Sequence, residues 1–356
     1  MEAVSGELTS PRQRVTLKMI AQRLGVHHTT VSRALNNHPN ISLAMRTQVQ
    51  QTAEAMGYRP DPYLSALANY RNHHTKHAYQ ATVGWIMPYR SRGFFENHTI
   101  LPEYLRGFRQ CANKLGYQID LFWLKDYPSA SLNERIAAIL KARGIFGLII
   151  PPIPTSAIPF QLNWDNLSVV TFGFSFKQPD LHRIANDQYG STATLTRKLL
   201  AMGYKKPGLI MPLENDKCVR YAWSSGFRSA IEEAGLNADG CIERNVPLPP
   251  ATLQQWIKRE KIDVVITLNP KTIQTQLEAF GIVAPDNIGI AGLALNKGEA
   301  FFGGISENGE AMGIAAMETL SGLLHHNTQG PPQVSYRIMI EGSFRAGTSL
   351  RANPLQ

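Results

Sequence analysis

The chain has 356 residues, 43% of them apolar and 18% charged, with a formal net charge of +9. That length supplies a small N-terminal module and a large core of two lobes, and no apolar run approaches the roughly eighteen residues of a membrane span. Glu2 and Glu7 stand where a signal peptide would be apolar, and Cys111, Cys218 and Cys241 are widely spaced outside any C-x-x-C pair. The expectation is a cytoplasmic protein with no membrane partner, no disulfide framework and no zinc site.

Residues 1–13 read as a flexible extension. After them Leu17, Ile20, Ala21 and Leu24 follow the three- and four-residue spacing of one helical stripe, with Thr16 suited to cap its start and Gly25 its end. A second helix from His27 to Asn36 turns Val31, Ala34 and Leu35 inward and His28, Thr29, Ser32 and Arg33 outward. A third, capped by Ser42, carries Met45, Val49, Thr52, Ala53 and Met56 along one side and stops at Gly57. Three small helices with one polar face form a helix-turn-helix module over residues 14–60, whose second helix fits a DNA major groove. Helix-glycine-helix units also occur in cores that touch no nucleic acid. Charge separates the two readings: residues 12–77 hold nine Lys or Arg against Glu54 and Asp61, which is +7 of the chain's +9. Concentrated there, it neutralises phosphates and releases counterions.

The stretch from Gly57 to Asn69 follows. Pro60 and Pro62 set an extended turn, and Leu64, Leu67 and Ala68 share one side of a two-turn helix. A helix that short is marginal alone and gains order by docking to DNA. Residues 61–80 are therefore expected to be a hinge helix and linker.

Through Val15-Thr16-Leu17, Ala21, Gly25-Val26, Thr30-Val31-Ser32-Arg33, Leu35-Asn36, Ile41-Ser42, Arg46, Gly57-Tyr58-Arg59-Pro60 and Leu67-Ala68, the sequence resembles the LacI-type (lactose repressor) family of bacterial transcriptional regulators. The resemblance implies that His28, Thr29 and Arg33 face base edges, Arg33 with the donor pair that recognises guanine. It implies that Thr16, Thr30, Ser32, Asn36 and Tyr58 hold phosphates, which position without specifying. Leu67 matches a wedge inserted from the minor groove, and Ala68 the small residue beside it. Met19, where an acid is usual, and His27, where a serine usually caps the recognition helix, depart from the pattern. Leu64 and Tyr70-Arg71 make the hinge bulkier and more basic.

Beyond the linker, strands and helices alternate. Strand candidates at 82–87, 118–123, 146–150, 169–172, 207–211, 264–268 and 288–293 are separated by helices at 104–115, from a Ser131-to-Glu134 capping box, at 190–202, and before Gly235 and Gly281. Continuous apolar strands between amphipathic helices indicate an α/β fold of parallel sheets covered on both faces. Two such series make two doubly wound lobes with a cleft between them. The expected N-lobe is about 81–176 and 306–336, and the C-lobe about 177–305 and 337–356.

Asn186-Asp187-Gln188-Tyr189-Gly190, Leu200-Ala201-Met202-Gly203-Tyr204, Ser225-Gly226-Phe227, the run from Gly281 to Ile288 and that from Gly342 to Ser349 extend the resemblance. It then implies a regulatory half like periplasmic sugar-binding proteins, a small-molecule effector of sugar type in the cleft, and a homodimer on a palindromic operator. No cofactor or metal is expected. Tyr89, Phe94, Asp187, Arg220, Trp223 and Asn269 are the candidate effector contacts. Asp187 equally reads as a helix-start residue, and Trp223, Tyr89 and Phe94 as packing. Trp223 stands where the family often has arginine, Asn269-Pro270 where an Asn-Asp pair is common, and Leu293 to Asn296 supplies no acid. The chain has no G-x-S-x-G elbow, H-E-x-x-H, P-loop or strand-to-helix G-x-G-x-x-G. A DNA-binding module fused to a catalytic α/β domain, and an architectural DNA-bending protein, are the alternatives.

Overall fold

The computed structural model describes residues 15–35, 41–58, 81–295 and 300–351. The extension 1–13, Asn36, and the hinge with Leu67 and Ala68 lie outside the described residues. The chain separates into two compact units, one holding the three N-terminal helices and the other both sheets.

The helical unit contains α1 (Leu17–Leu24), α2 (His28–Leu35) and α3 (Leu43–Ala55). Thr16 and Ser42 cap α1 and α3 as expected, their hydroxyls accepting the N–H of Met19 and Met45 at 3.4 Å each. Gly25 ends α1 at φ +65°, a left-handed conformation that a Cβ would strain. Ile20, Ala21, Val31, Ala34, Val49 and Ala53 close into one core, where the alanines let the helices approach. The second helix begins one residue later than expected, because His27 acts as its cap: the imidazole Nδ1 accepts the N–H of Thr29 at 3.4 Å.

The first sheet has the order β11-β5-β4-β3-β1-β2, with every neighbouring pair parallel. Its strands are β1 (Ala81–Met87), β2 (Tyr117–Trp123), β3 (Gly147–Ile150), β4 (Ser168–Phe172), β5 (His182–Asn186) and β11 (Arg337–Ile340). The second sheet has the order β12-β10-β9-β8-β6-β7, from β6 (Pro207–Ile210), β7 (Ile242–Glu243), β8 (Val264–Thr267), β9 (Gly289–Leu295), β10 (Gly303–Ser306) and β12 (Ser343–Arg345). All its pairs are parallel except β10 with β12.

Helices α4 (Arg92–Glu96), α5 (Leu101–Leu115), α6 (Leu132–Ala142) and α12 (Gly309–His325) belong with the first sheet; α7 (Gln188–Ala201), α8 (Leu213–Cys218), α9 (Ala222–Glu233), α10 (Pro250–Glu260) and α11 (Pro270–Glu278) belong with the second. Strands β3, β4, β5, β6 and β8 are buried along their whole length, as expected of sheets covered on both faces. Gly226 has a packing reason: a Cβ there would come within 2.2 Å of the Tyr189 carbonyl, so only glycine lets α9 lie against the start of α7.

The structure departs from expectation at three places. Ser131 makes no side-chain cap bond, so the capping box does not form. Strands β5 and β11 pair within the first sheet, so residues 182–186 and 337–340 lie on the N-lobe side of boundaries expected near 176 and 336. Strand β5 was hidden because its buried residues are polar. His182 Nδ1 accepts the N–H of Tyr336 (2.9 Å), Arg183 donates to the Gly173 carbonyl (3.2 Å), and Asn186 donates to the Glu307 carbonyl (3.4 Å). Bonded in this way, with only the Arg183 Nε left without a partner among them, such groups sit in a core that hydropathy does not mark.

Candidate nucleic-acid interface and ligand cleft

Helix α2 is seated by Val31 and Ala34, both fully buried. At 3.6 residues per turn, His28, Thr29 and Arg33 then emerge on the opposite side, and all three are exposed. Ser32 and Thr30 are half-buried beside them. The His27 and His28 rings lie 4.2 Å apart at the start of the helix. Tyr58 is half-buried against the core, and Arg46 Nε donates to the Ile41 carbonyl at 2.8 Å, fastening the chain that enters α3. Glu54 is the one acid among the described residues of this unit, against Lys18, Arg23, Arg33 and Arg46. The unit thus presents a basic surface with a small polar helix face, the chemistry that positions on phosphates and reads base edges.

In the two-lobed unit, the candidate ligand residues stand just beyond the C-terminal ends of the strands, the edge at which open α/β sheets bind ligands. Tyr89 follows β1 and is 1% exposed, its hydroxyl donating to the Pro152 carbonyl at 3.2 Å. Burial pushes that phenol well above its ordinary value. Phe94 lies 5.3 Å from the Tyr89 ring and is exposed. Asp187 caps α7, its Oδ1 accepting the N–H of Gly190 at 2.9 Å. Arg220 is exposed in the turn before α9, where it and Tyr221 adopt positive φ. Asn269 is exposed at the start of α11. Trp223 is 4% exposed within the second lobe's apolar core. The structure therefore brings Tyr89 and Phe94 together, employs Asp187 as a cap, and makes Trp223 a packing residue.

Three chain crossings join the lobes, after β5, β10 and β11, and they interlock. The Asp187 N–H meets the Ile340 carbonyl at 2.9 Å, Asn308 Nδ2 donates to the Glu341 carbonyl at 2.8 Å, and Ser343 Oγ donates to Asn308 Oδ1 at 3.0 Å. Glu307 is buried among them, and burial, then the charge of Glu103, raises its carboxyl to about 7. On the second lobe Asp216, wholly buried, pairs with Arg244 at 2.7 Å and accepts the Ser224 N–H at 3.2 Å. Sequence reasoning missed Glu307, Asn308, Asp216 and Arg244. Positions 307 and 308 show no periodicity, and the ion pair joins residues 28 apart. Among the described residues, no group of three or more His, Cys, Asp or Glu could hold a metal ion, and no helix is long and apolar enough to cross a membrane.

Residues 16–61 match the profile of bacterial regulatory proteins of the lacI family, and residues 80–247 that of periplasmic binding proteins and the sugar-binding domain of the LacI family. The chain belongs to the LacI family. Among its relatives, the HTH-type transcriptional regulator Rv3575c of Mycobacterium tuberculosis is 28% identical over 58% of this chain and 55% of its own length. The probable HTH-type transcriptional repressor ExuR of Bacillus subtilis is 31% identical over 66% of this chain and 62% of its own. The matched region thus spans less than two thirds of either relative.

The LacI fold extends over nearly the whole chain. A transcriptional regulator CelR solved in complex with cellobiose aligns over 94% of this chain and 100% of its own, with TM-score 0.56 and 19% identity. The lac repressor dimer bound to operator and the anti-inducer ONPF aligns over 95% and 100%, with TM-score 0.53 and 17% identity.

Proposed function

We propose that this LacI-family chain is a transcriptional regulator, a repressor that binds a palindromic DNA operator as a homodimer and takes a small carbohydrate or carbohydrate derivative in the interlobe cleft. It works in the cytoplasm and catalyses no reaction. One observation carries the reading: α2 buries Val31 and Ala34 while leaving His28, Thr29 and Arg33 exposed on the other side of a basic unit. His28, Thr29 and Arg33 are assigned to base edges, and Thr16, Thr30, Ser32, Asn36 and Tyr58 to phosphates. Leu67 is the minor-groove wedge, with Ala68 beside it. Phe94, Arg220 and Asn269 are the effector contacts, with Tyr89 backing the Phe94 ring and Asp187 setting the start of α7 beside them. The names of the relatives support regulation over catalysis, and the cellobiose complex of a neighbour supports the ligand class.

Selection from a randomised DNA library tests it. The full chain should enrich a palindrome, and Arg33→Ala should relax one base position in each half-site at a cost of about 1–3 kcal/mol. Enrichment without symmetry, or a variant with unchanged base preference, would contradict the assignment.

A further inference from the structure

A pocket of about 360 Å³, half open to solvent, is lined by residues of the first lobe alone. Arg90 reaches it from the loop after β1, Lys125, Tyr127 and Ser129 from the loop after β2, and Leu124, Leu132 and Ile158 form apolar wall. It stands on the β1–β2 side of the sheet, away from the β5–β11 side where the chain crosses to the second lobe. Its volume falls in the range of small-molecule sites, about 300–1,000 Å³.

The polar groups around it are unbalanced. Arg90 Nε donates to the Ser156 carbonyl at 2.8 Å, which orients the guanidinium and leaves its terminal amino groups for another acceptor. Asp126, beside Lys125 in the chain, is engaged by Arg92 at 3.1 Å. Arg90, Lys125, Tyr127 and Ser129 thus line one half-open pocket floored by Leu124 and Leu132, with no carboxylate among its lining residues, and Arg90, Lys125 and Ser129 are themselves exposed. Guanidinium and ammonium groups so placed are donors for an oxyanion, and the apolar wall suits a compact hydrophobic body attached to it.

We propose that this pocket is a second ligand site, independent of the interlobe cleft, for a small organic anion: a phosphate monoester or carboxylate on a compact apolar body. Calorimetric titration of the full chain with phenyl phosphate, benzoate and neutral phenol tests it. The expected result is saturable one-to-one binding of phenyl phosphate or benzoate and none of phenol, weakening as salt rises from 0.05 to 0.5 M as a charge contact should (roughly a threefold shorter screening length). The relative strength of the two anions decides between phosphate and carboxylate. Lys125→Gln and Arg90→Gln should each weaken binding at least fivefold. Because Arg90 also braces the Ser156 loop, Lys125→Gln decides the matter should the other variant not fold. No saturable binding, equal binding of phenol, or affinity unchanged in Lys125→Gln would overturn the site. Binding lost in Asn269→Ala but kept in Lys125→Gln would place the anion in the cleft and overturn it too, leaving the regulatory reading untouched.

Discussion

Replacing Glu307 by glutamine tests the electrostatics of the lobe crossing. The side chain follows β10 and is 8% exposed. Glu103 and Tyr104 face it from α5, Tyr89 approaches Tyr104 from the end of β1, and Asn186 at the end of β5 bonds the Glu307 carbonyl. Arg106 of α5 is engaged by Glu310 at 2.9 Å. Burial is the larger cause and the Glu103 charge the smaller; together they raise the Glu307 carboxyl from 4.5 to about 7. The native state therefore keeps a proton that the unfolded chain releases, so stability falls as pH rises from about 4.5 to about 7 and is level above that. A shift of this size corresponds to about 3 kcal/mol at roughly 1.4 kcal/mol per unit.

Glutamine has the same shape and does not ionise. In urea titrations at fixed ionic strength, the variant should gain about 3 kcal/mol on the parent between pH 4 and pH 8. His98 and His182, both lowered chiefly by burial, act in the opposite sense, costing stability as pH falls through their ordinary value. They are common to both proteins and cancel in the difference. A difference that stays flat from pH 4 to pH 8 would mean that Glu307 ionises as it does in water, and the reasoning would fail.

Two further outcomes follow from the second lobe. Arg244→Ala leaves the carboxylate of Asp216 buried without its partner and should cost about 3–5 kcal/mol in urea unfolding, with Arg244→Ala/Asp216→Ala recovering part of it; a loss under about 1 kcal/mol would show that water replaces the guanidinium. Trp223→Ala should open a cavity in the core and cost about 3–5 kcal/mol; unchanged stability with weakened effector binding would instead return Trp223 to the cleft.

The helical unit was legible because local rules suffice there. Thr16, Gly25 and Ser42 act where a cap was expected, and the stripe of Ile20, Ala21, Val31, Ala34, Val49 and Ala53 is a matter of spacing. His27 shows the limit of residue type: its imidazole caps α2 as a serine would. In the two-lobed unit, apolar runs such as residues 146–150 announced their strands. The segments that change lobes did not. Strand β5 is buried with polar residues, β10 begins with two glycines, and β11 runs along an open edge with Ile338 and Met339 exposed. Of the two readings that Trp223 allows, effector contact and packing, its burial favours packing: with Phe227, Ala230 and Ile231 it forms a helical stripe, and such a stripe faces a core.

The same crossings that hydropathy concealed are where ligand and proton would meet. On the proposed reading, an effector shifts the lobes only by the difference in its affinity for their two arrangements, commonly about 1–3 kcal/mol. The crossings are tied to one another by the Asp187 N–H to the Ile340 carbonyl, Asn186 to the Glu307 carbonyl, Asn308 to the Glu341 carbonyl and Ser343 to Asn308, so a change there engages all three segments at once. The charge that Glu307 acquires near pH 7 is worth about as much as such a coupling. Linkage is reciprocal: an arrangement of the lobes that exposes Glu307 releases a proton, and one that buries it takes a proton up. On the proposed reading, an effector that selects an arrangement in which Glu307 is exposed should bind with a pH-dependent affinity around neutrality, and Glu307→Gln should flatten that dependence without touching any group assigned to the ligand; an affinity with the same pH dependence in both proteins would refute the link.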